Sequence, residues 1–467
     1  MIASAFGQTL GQIGRRVTNT LAAGVLLFGL SAPAAQSEPL VLTPDGMVQM
    51  AVMLLDRGYP EQALRFADAL LQRNPQDATA LIVKARAERD MAQYPQSVAT
   101  ARVAWRAAAL PRERYGAALA MAQGLASDGQ RLRAQLWLRR AIQEAPNEAA
   151  RSVAVRDLRH VRNRSRLSLR FDLSVRPSSN VNGGTYERMI EFFGIPLTIS
   201  PDSRALSGGV VQTAVTAQYR IAESGSAKTD LRFGLVERRV WLSPSAKADA
   251  PMARSGTYAF SGYEVGLDQA WKLPALNGEA TAAVSFGHNR YGGAPMSDYA
   301  RLDLDVFRTF SSSLSGQAGV SLERQLRRDD PERSATIVGA SAGLSQRLQS
   351  GDKVSVSFEA RNTQSDADSI DHRALRTDLG WTKAKPVFGA GLSASLGIEA
   401  RDYARSALSP TGREDVSLRA RASLSLEKLD YMGFMPVISV EAERTRSNIA
   451  LYRSQSLGVG VSIRSKF

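Results

Sequence analysis

The 467-residue chain has no cysteine, only three histidines, and no long apolar stretch beyond its first 34 residues. Each shortage removes a class of function. Without cysteine there is no disulfide, no thiolate metal site and no cysteine nucleophile. His160, His288 and His372 are far apart and show no ligand spacing. No nucleophile elbow, phosphate loop or dinucleotide fingerprint stands in a fitting context, so no catalytic, cofactor or metal residue is assigned. No run of about 18 apolar residues follows the leader, so no bilayer-spanning helix is expected. Strands are not excluded by that shortage. The charge excess, Lys+Arg 59 against Asp+Glu 45, is spread evenly and not packed into one basic block. It reads as an arginine-rich solvated or lumenal surface, with no nucleic-acid partner.

The leader has the parts of a secretory signal. Arg15 and Arg16 precede the apolar segment Leu21–Leu30, which is too short to span a membrane. Ala32-Pro33-Ala34 fits a small-x-small cleavage site, so residues 1–34 are expected to be a signal peptide. No cysteine follows it, which argues against lipidation of this chain.

The remainder changes period once. Residues 35–165 are alanine-rich with apolar residues recurring at three and four, the spacing of helices. Three segments end at Pro75, Pro111 and Pro146. Counting back from these prolines aligns Ala51, Ala87 and Ala122, the inter-helix turns at Gly58, Tyr94 and Gly129, and the pairs Ala63/Ala67, Ala99/Val103 and Ala134/Leu138. Small residues where paired helices touch, with proline after the second helix, resemble the tetratricopeptide repeat. A further helix over Asn147–Arg162 is expected to cap the stack. It carries Arg151, Arg156, Arg159 and Arg162, a basic junction that could meet lipid headgroups or an acidic client, or form a solvated face.

From residue 166 to 467 the period is 2. In "RLSLRFDLSV", Leu167, Leu169, Phe171, Leu173 and Val175 share one face and Ser168, Arg170, Asp172 and Ser174 the other. About fourteen such segments are expected, separated by alternately longer and shorter connections, which is the asymmetry of an outer-membrane barrel. In lipid every backbone group needs a partner, so the strands must close and the last must pair with the first. On that topology Trp241, Tyr258, Tyr291, Tyr299, Tyr403 and Tyr452 fall at the outer rim, and Trp271, Phe310, Trp381 and Phe467 at the inner one. The expected fold is thus a helical repeat solenoid followed by a fourteen-stranded antiparallel transmembrane β-barrel. In the last strand Leu457, Val459, Val461 and Ile463 would face lipid. With the terminal Phe467 they resemble the signal read by barrel-insertion machinery.

The first long connection, Arg176–Gly209, is unusual. It opens on Asn180 and Asn182, then carries the apolar "MIEFFGIPLTI" with Phe192, Phe193 and Ile195, too apolar for a merely solvated loop. Such a loop enters the lumen, acts as a lid, touches a client, or packs on the rim. Repeats leading into this barrel, with "SSNVNGG", "FFGIPLTIS" and "SRALSGG" after the first strand, resemble the Slam family (surface lipoprotein assembly modulators). The resemblance implies a type XI secretion role in the Gram-negative outer membrane. A periplasmic repeat domain would engage a client protein, a surface lipoprotein or a secreted protein, with periplasmic chaperones as further partners. It implies no cofactor. An exopolysaccharide exporter also joins repeats to a barrel, and a passive porin would leave the repeats unexplained.

Overall fold

The computed structural model describes residues 42–192, 195–432 and 434–465. The expected signal peptide and the residues Phe193 and Phe467 lie outside the described residues. Seven helices come first: α1 (Pro44–Asp56), α2 (Pro60–Arg73), α3 (Ala78–Asp90), α4 (Tyr94–Ala107), α5 (Pro111–Ser127), α6 (Arg131–Gln143) and α7 (Glu148–Arg164). Consecutive helices pack on each other, and α3 also touches α1 and α5. Alanine permits that close approach: Ala51, Ala63, Ala67 and Ala87 are wholly buried in one cluster. Ala122, Leu125, Ala134, Leu138 and Leu158 lie in another. A row of side chains crosses α3, α5 and α7 at a spacing of 34 residues: Arg89 donates to Gln123, whose Nε2 donates to Asp157 Oδ2 at 3.4 Å.

The middle unit departs from the proline count. Ala99 and Val103 are exposed, whereas Ser97 and Ala101 are fully buried and Ser97 Oγ donates to the Ala85 carbonyl at 2.7 Å. The turns explain the shift. A left-handed residue precedes the second helix of each pair, at Gly58 (φ +80°), Ala92 (φ +60°) and Gly129 (φ +79°). The middle turn therefore lies at Ala92, ahead of the expected Tyr94, and moves α4 with it. An alanine in this region costs roughly 1–2 kcal/mol, which the surrounding helix packing must offset.

Strands follow, with one further short helix, α8 (Pro244–Asp249), between the fifth and sixth of them. They are β1 (Leu167–Ser178), β2 (Met189–Phe192), β3 (Ile195–Thr198), β4 (Gly208–Glu223), β5 (Ala227–Leu242), β6 (Phe260–Leu273) and β7 (Gly278–Tyr291). Then come β8 (Ala294–Thr309), β9 (Leu314–Arg327), β10 (Ala335–Arg347), β11 (Lys353–Ser365) and β12 (His372–Thr382). The last are β13 (Gly391–Tyr403), β14 (Arg413–Ser425), β15 (Phe434–Ser447) and β16 (Ser454–Ser465). β1 and β4 to β16 form a closed antiparallel barrel of fourteen strands, and β2–β3 is a separate hairpin in the first loop. The shortest barrel strand, β12, has 11 residues, enough to cross a hydrocarbon core when tilted.

The two faces of the wall differ in chemistry. Phe171, Val265, Leu267, Phe286, Leu304, Val320, Leu322, Leu379, Ile398, Leu418 and Val459 are exposed large apolar residues that alternate with the polar set. A belt of that extent needs a hydrocarbon surround. The other face carries paired charges of both signs: Arg232 with Asp268 (3.0 Å), Arg301 with Asp303 (2.7 Å), Arg376 with Asp378 (2.6 Å) and Arg419 with Glu443 (2.9 Å). At these four places the signs compensate locally.

Two expectations about the rims need correction. The longest connections at the end away from the helices are 179–207, 243–259 and 404–412, but β7 joins β8 through only Gly292 and Gly293. Those two glycines adopt φ +58° and +86°, the left-handed conformations a two-residue hairpin requires. The expected rim aromatics among the described residues lie at the expected ends, but several turn inward. The Tyr299 hydroxyl donates to Glu264 on the lumen face at 2.7 Å. Tyr403 is buried against Arg413, whose guanidinium lies 3.4 Å from the Tyr403 ring centre and 3.9 Å from that of Tyr452. With a period of 2, an error of one residue moves a side chain through the wall, so lengthwise position survives a register error and facing does not.

Candidate functional site

The closing seam, where the last strand meets the first, differs from every other line of the wall. On one side β1 pairs with β4 from Leu167↔Tyr219 to Ser178↔Gly208 without a break. On the other, among the described residues, it pairs with β16 at Leu173↔Ile463, Ser174↔Ser462, Val175↔Val461 and Ser178↔Gly458, and Ser179 N donates to the Leu457 carbonyl at 3.0 Å. Pro177 has no N–H to give. Val461 and Ile463 lie on the apolar outer face, as expected, with Leu173 and Val175 beside them. On the lumen face Arg176 crosses Gly458 and Gly460 to ion-pair with Glu441, which also receives Arg421 Nη2 at 2.9 Å. A side chain at either glycine would occupy the path of Arg176: a Cβ at Gly458 would stand 2.9 Å from the Pro177 oxygen and 3.0 Å from Arg176 Cδ. A polar cavity of about 270 Å³, lined by Arg176, Asn180, Arg238, Glu441 and Gln455 among others, opens beside this line.

The first loop takes over where strand pairing stops. Asn180 Nδ2 donates to the Gly184 and Gln455 carbonyls (2.8 and 3.1 Å), and its Oδ1 accepts from Gly184 N (3.0 Å). Asn182 Nδ2 donates to the Asp202 and Arg204 carbonyls (3.0 and 2.8 Å), and its Oδ1 accepts from Leu206 N at 2.9 Å. One asparagine thus ties the outgoing limb to β16, and the other ties it to the returning limb. Between them Val181 is buried with Leu206, Val210, Val240 and Leu242, and with Ala246 and Ala250 from the second loop. Thr185 Oγ1 donates to the Ala450 carbonyl at 2.9 Å, and Arg453 lies 3.3 Å from Glu187. The loop base therefore packs into the mouth on the β4–β5 side and grips the β15–β16 connection on the other, clamping the seam from above.

Beyond this base the β2–β3 hairpin projects. Its pairing runs from Met189↔Thr198 to Phe192↔Ile195, and Ile199 N donates to the Arg188 carbonyl at 2.9 Å. Met189, Ile195 and Leu197 are 55%, 60% and 43% exposed. The alternatives for this loop therefore separate by segment: the base packs on the rim, and the hairpin stays exposed with apolar side chains uncovered.

At the opposite end the helices dock on the turn between β14 and β15. Arg139 Nη1 donates to the Met432 carbonyl at 3.1 Å, and its guanidinium lies 5.0 Å from the Phe434 ring centre. Burial and the nearby Arg162 charge push the Arg139 pKa down. Met432 N donates to Gln143 Oε1 at 3.2 Å. Arg151 Nη2 lies 3.3 Å from Asp430 Oδ2, with only 7% of the Asp430 side chain exposed. Of the four candidate junction arginines the structure brings only Arg151 to the barrel; Arg156, Arg159 and Arg162 lie exposed on α7. Sequence reading missed Arg139, Asp430 and Met432, because nothing local distinguishes one polar turn from another. Charge reversal at Arg151 (Arg151→Glu) places a carboxylate beside the nearly buried Asp430. Docking is expected to weaken by about 2 kcal/mol or more, read as faster protease cleavage near residue 165, with partial recovery in Arg151→Glu/Asp430→Arg.

Comparison with known proteins adds sequence to this geometry. Residues 327–467 match the model of a family described as surface lipoprotein assembly modifier. No curated protein sequence matches significantly. Among solved structures, the type III secretion translocator chaperone SycD of Yersinia enterocolitica is similar over 26% of this chain and 86% of its own, at 16% identity and TM-score 0.22. A loop L8 deletion mutant of OmpT, an outer membrane protein of Vibrio cholerae, is similar over 64% of this chain and 99% of its own, at 9% identity and TM-score 0.33. A structure described as a bacterial polysaccharide outer membrane secretin is similar over 64% and 98%, at 11% identity and TM-score 0.35. The matched pattern runs from the end of β9 through the clamped closing strand, so the C-terminal part of this fourteen-stranded closed barrel is similar to the surface lipoprotein assembly modifier family.

Proposed function

We propose that this protein helps particular client proteins, surface lipoproteins or secreted soluble proteins, cross the outer membrane. The family match supports the lipoprotein class of client. The observation that carries the reading is the placement of two unlike modules at opposite ends of one barrel. A helical stack is fixed to the β14–β15 turn, and an apolar hairpin stands free beyond the other rim. On this reading the helices are a periplasmic repeat domain, residues 35–165 of a tetratricopeptide type, that holds the client or a chaperone bringing it. The exposed arginines Arg156, Arg159 and Arg162 offer that domain a cationic face for an acidic client segment. The hairpin receives apolar client segments as they emerge, and client folding outside supplies the direction of travel. Phe467, with Val461 and Ile463, serves the insertion machinery during assembly.

The test is deletion of the gene, followed by a census of surface-exposed and secreted proteins and of exported polysaccharide. Loss of one or a few proteins with polysaccharide intact is the expected result. Unchanged protein export with lost polysaccharide would overturn the reading in favour of a sugar exporter.

A further inference from the structure

The apolar outer wall is not uniformly convex. Near the helical end, between β8 and β11, it sinks into a trough. Gly316 and Ala318 of β9 and Ala342 of β10 form the floor, because small side chains leave the sheet backbone uncovered. Phe310, Leu344, Val356 and Phe358 stand as its walls, and the space measures about 420 Å³. The registers place these residues side by side: Arg308↔Gly316, Gly316↔Leu344, Ala318↔Ala342 and Ala342↔Phe358. Phe310 folds back over Gly316 so closely that a Cβ there would stand 2.7 Å from Phe310 Cε2. The ring therefore depends on that glycine for its position.

One cation borders the trough. Arg308 is exposed on the outer register, and its guanidinium lies 5.1 Å from the Phe310 ring centre. Among the described residues no carboxylate forms an ion pair with it. A guanidinium at the edge of hydrocarbon is costly unless it meets water or an anion at headgroup depth. Here it lies within two residues of the strand end, and an apolar trough of acyl-chain width runs from it towards mid-wall.

We propose that this trough is a phospholipid site, with one acyl chain lying on Gly316, Ala318 and Ala342 and an anionic headgroup phosphate on Arg308. The orientation proposed above places the site in the periplasmic leaflet; the chemistry itself does not depend on it. Charge complementarity selects the occupant. A phosphate gives Arg308 a charge-assisted, bidentate partner, whereas a diacylglyceryl lipopeptide anchor brings acyl chains without a phosphate.

The test is native mass spectrometry of the full-length protein in detergent, offered phosphatidylglycerol, phosphatidylethanolamine or a synthetic triacyl lipopeptide in turn. Wild type should retain one phosphatidylglycerol, with about tenfold weaker retention in Arg308→Gln. Ala342→Leu, which fills the floor while leaving the charge, should lose retention as well. Equal retention by wild type and both variants would overturn the site. Equal retention of phosphatidylglycerol and of phosphatidylethanolamine, which carries the same phosphate in a zwitterionic headgroup, would overturn the selection of a net anionic headgroup by Arg308. Preference for the lipopeptide would overturn the phospholipid assignment and give the trough to the client's anchor. Because the readout is bound lipid, failure here is distinguishable from failure of the export reading, which is scored on exported protein.

Discussion

Leucine at Gly458 is expected to prevent stable closure of the barrel. Unboiled Gly458→Leu protein should migrate as unfolded on SDS gels, and its level in the membrane should fall. The argument is local. A Cβ at this position meets the Pro177 backbone oxygen at 2.9 Å, and Arg176 Cδ and Cγ at 3.0 and 3.1 Å. The oxygen cannot swing aside, because it belongs to the strand that must pair here. Overpacking alone costs about 1–3 kcal/mol. Displacing Arg176 also separates it from Glu441, whose side chain is only 14% exposed. Arg421 stays on Glu441, so the carboxylate is not left unpaired, and losing the Arg176 bond to it costs about 1.5–3 kcal/mol. Most neighbouring strands share about a dozen registered pairs, whereas β1 and β16 share four among the described residues. Val459→Leu, one residue along on the apolar outer face, is the control and should remain heat-modifiable. A Gly458→Leu barrel as resistant to SDS as wild type would show that the seam is held by other means.

That seam also shows what the sequence makes legible. Alternation in "RLSLRFDLSV" and "LGVGVSIR" identifies both strands, and closure in lipid requires them to meet. Leu457, Val459, Val461 and Ile463 do face outward with β1 as neighbour. The extent of the pairing is not legible, because it depends on a stagger set by all fourteen strands together. The glycines of "GVG" carry a signal in retrospect. A β-strand gains nothing from glycine except room, and here the room is filled by Arg176 from the adjacent strand.

The helical part was legible to the level of repetition and not of phase. Alanines at helix contacts follow from geometry, and Ala51, Ala87 and Ala122 are buried as expected. The middle pair was misplaced because Ala92, in place of glycine, makes the left-handed turn. An alanine gives no warning of that conformation. The docking of α6 and α7 on the turn holding Asp430 and Met432 joins residues nearly 300 apart. No local pattern encodes it, and Arg151 stood out only as one basic residue among several.

Charging the loop hairpin should separate export from folding. In Met189→Asp/Ile195→Asp/Leu197→Asp, export of the client is expected to fall at least about tenfold, the effect of losing one strong apolar contact. The barrel should remain heat-modifiable at its normal level. The separation is expected because the three side chains are exposed and contribute nothing to the buried base. Val181, Leu206 and the Asn182 bonds to Asp202, Arg204 and Leu206 are left intact. The contrasting variant is Asn182→Leu, which leaves the Arg204 carbonyl and Leu206 N–H without their side-chain partner in a partly buried site. Each such loss costs about 1–3 kcal/mol. Here the loop base should loosen, protease should cut within 179–207, and export should fall together with barrel resistance. Two outcomes are therefore distinguished by one pair of variants. If the hairpin touches the client, the charged variant loses export alone. If the loop serves only to clamp the seam, the charged variant exports normally and only Asn182→Leu fails, and client contact through the hairpin is then excluded.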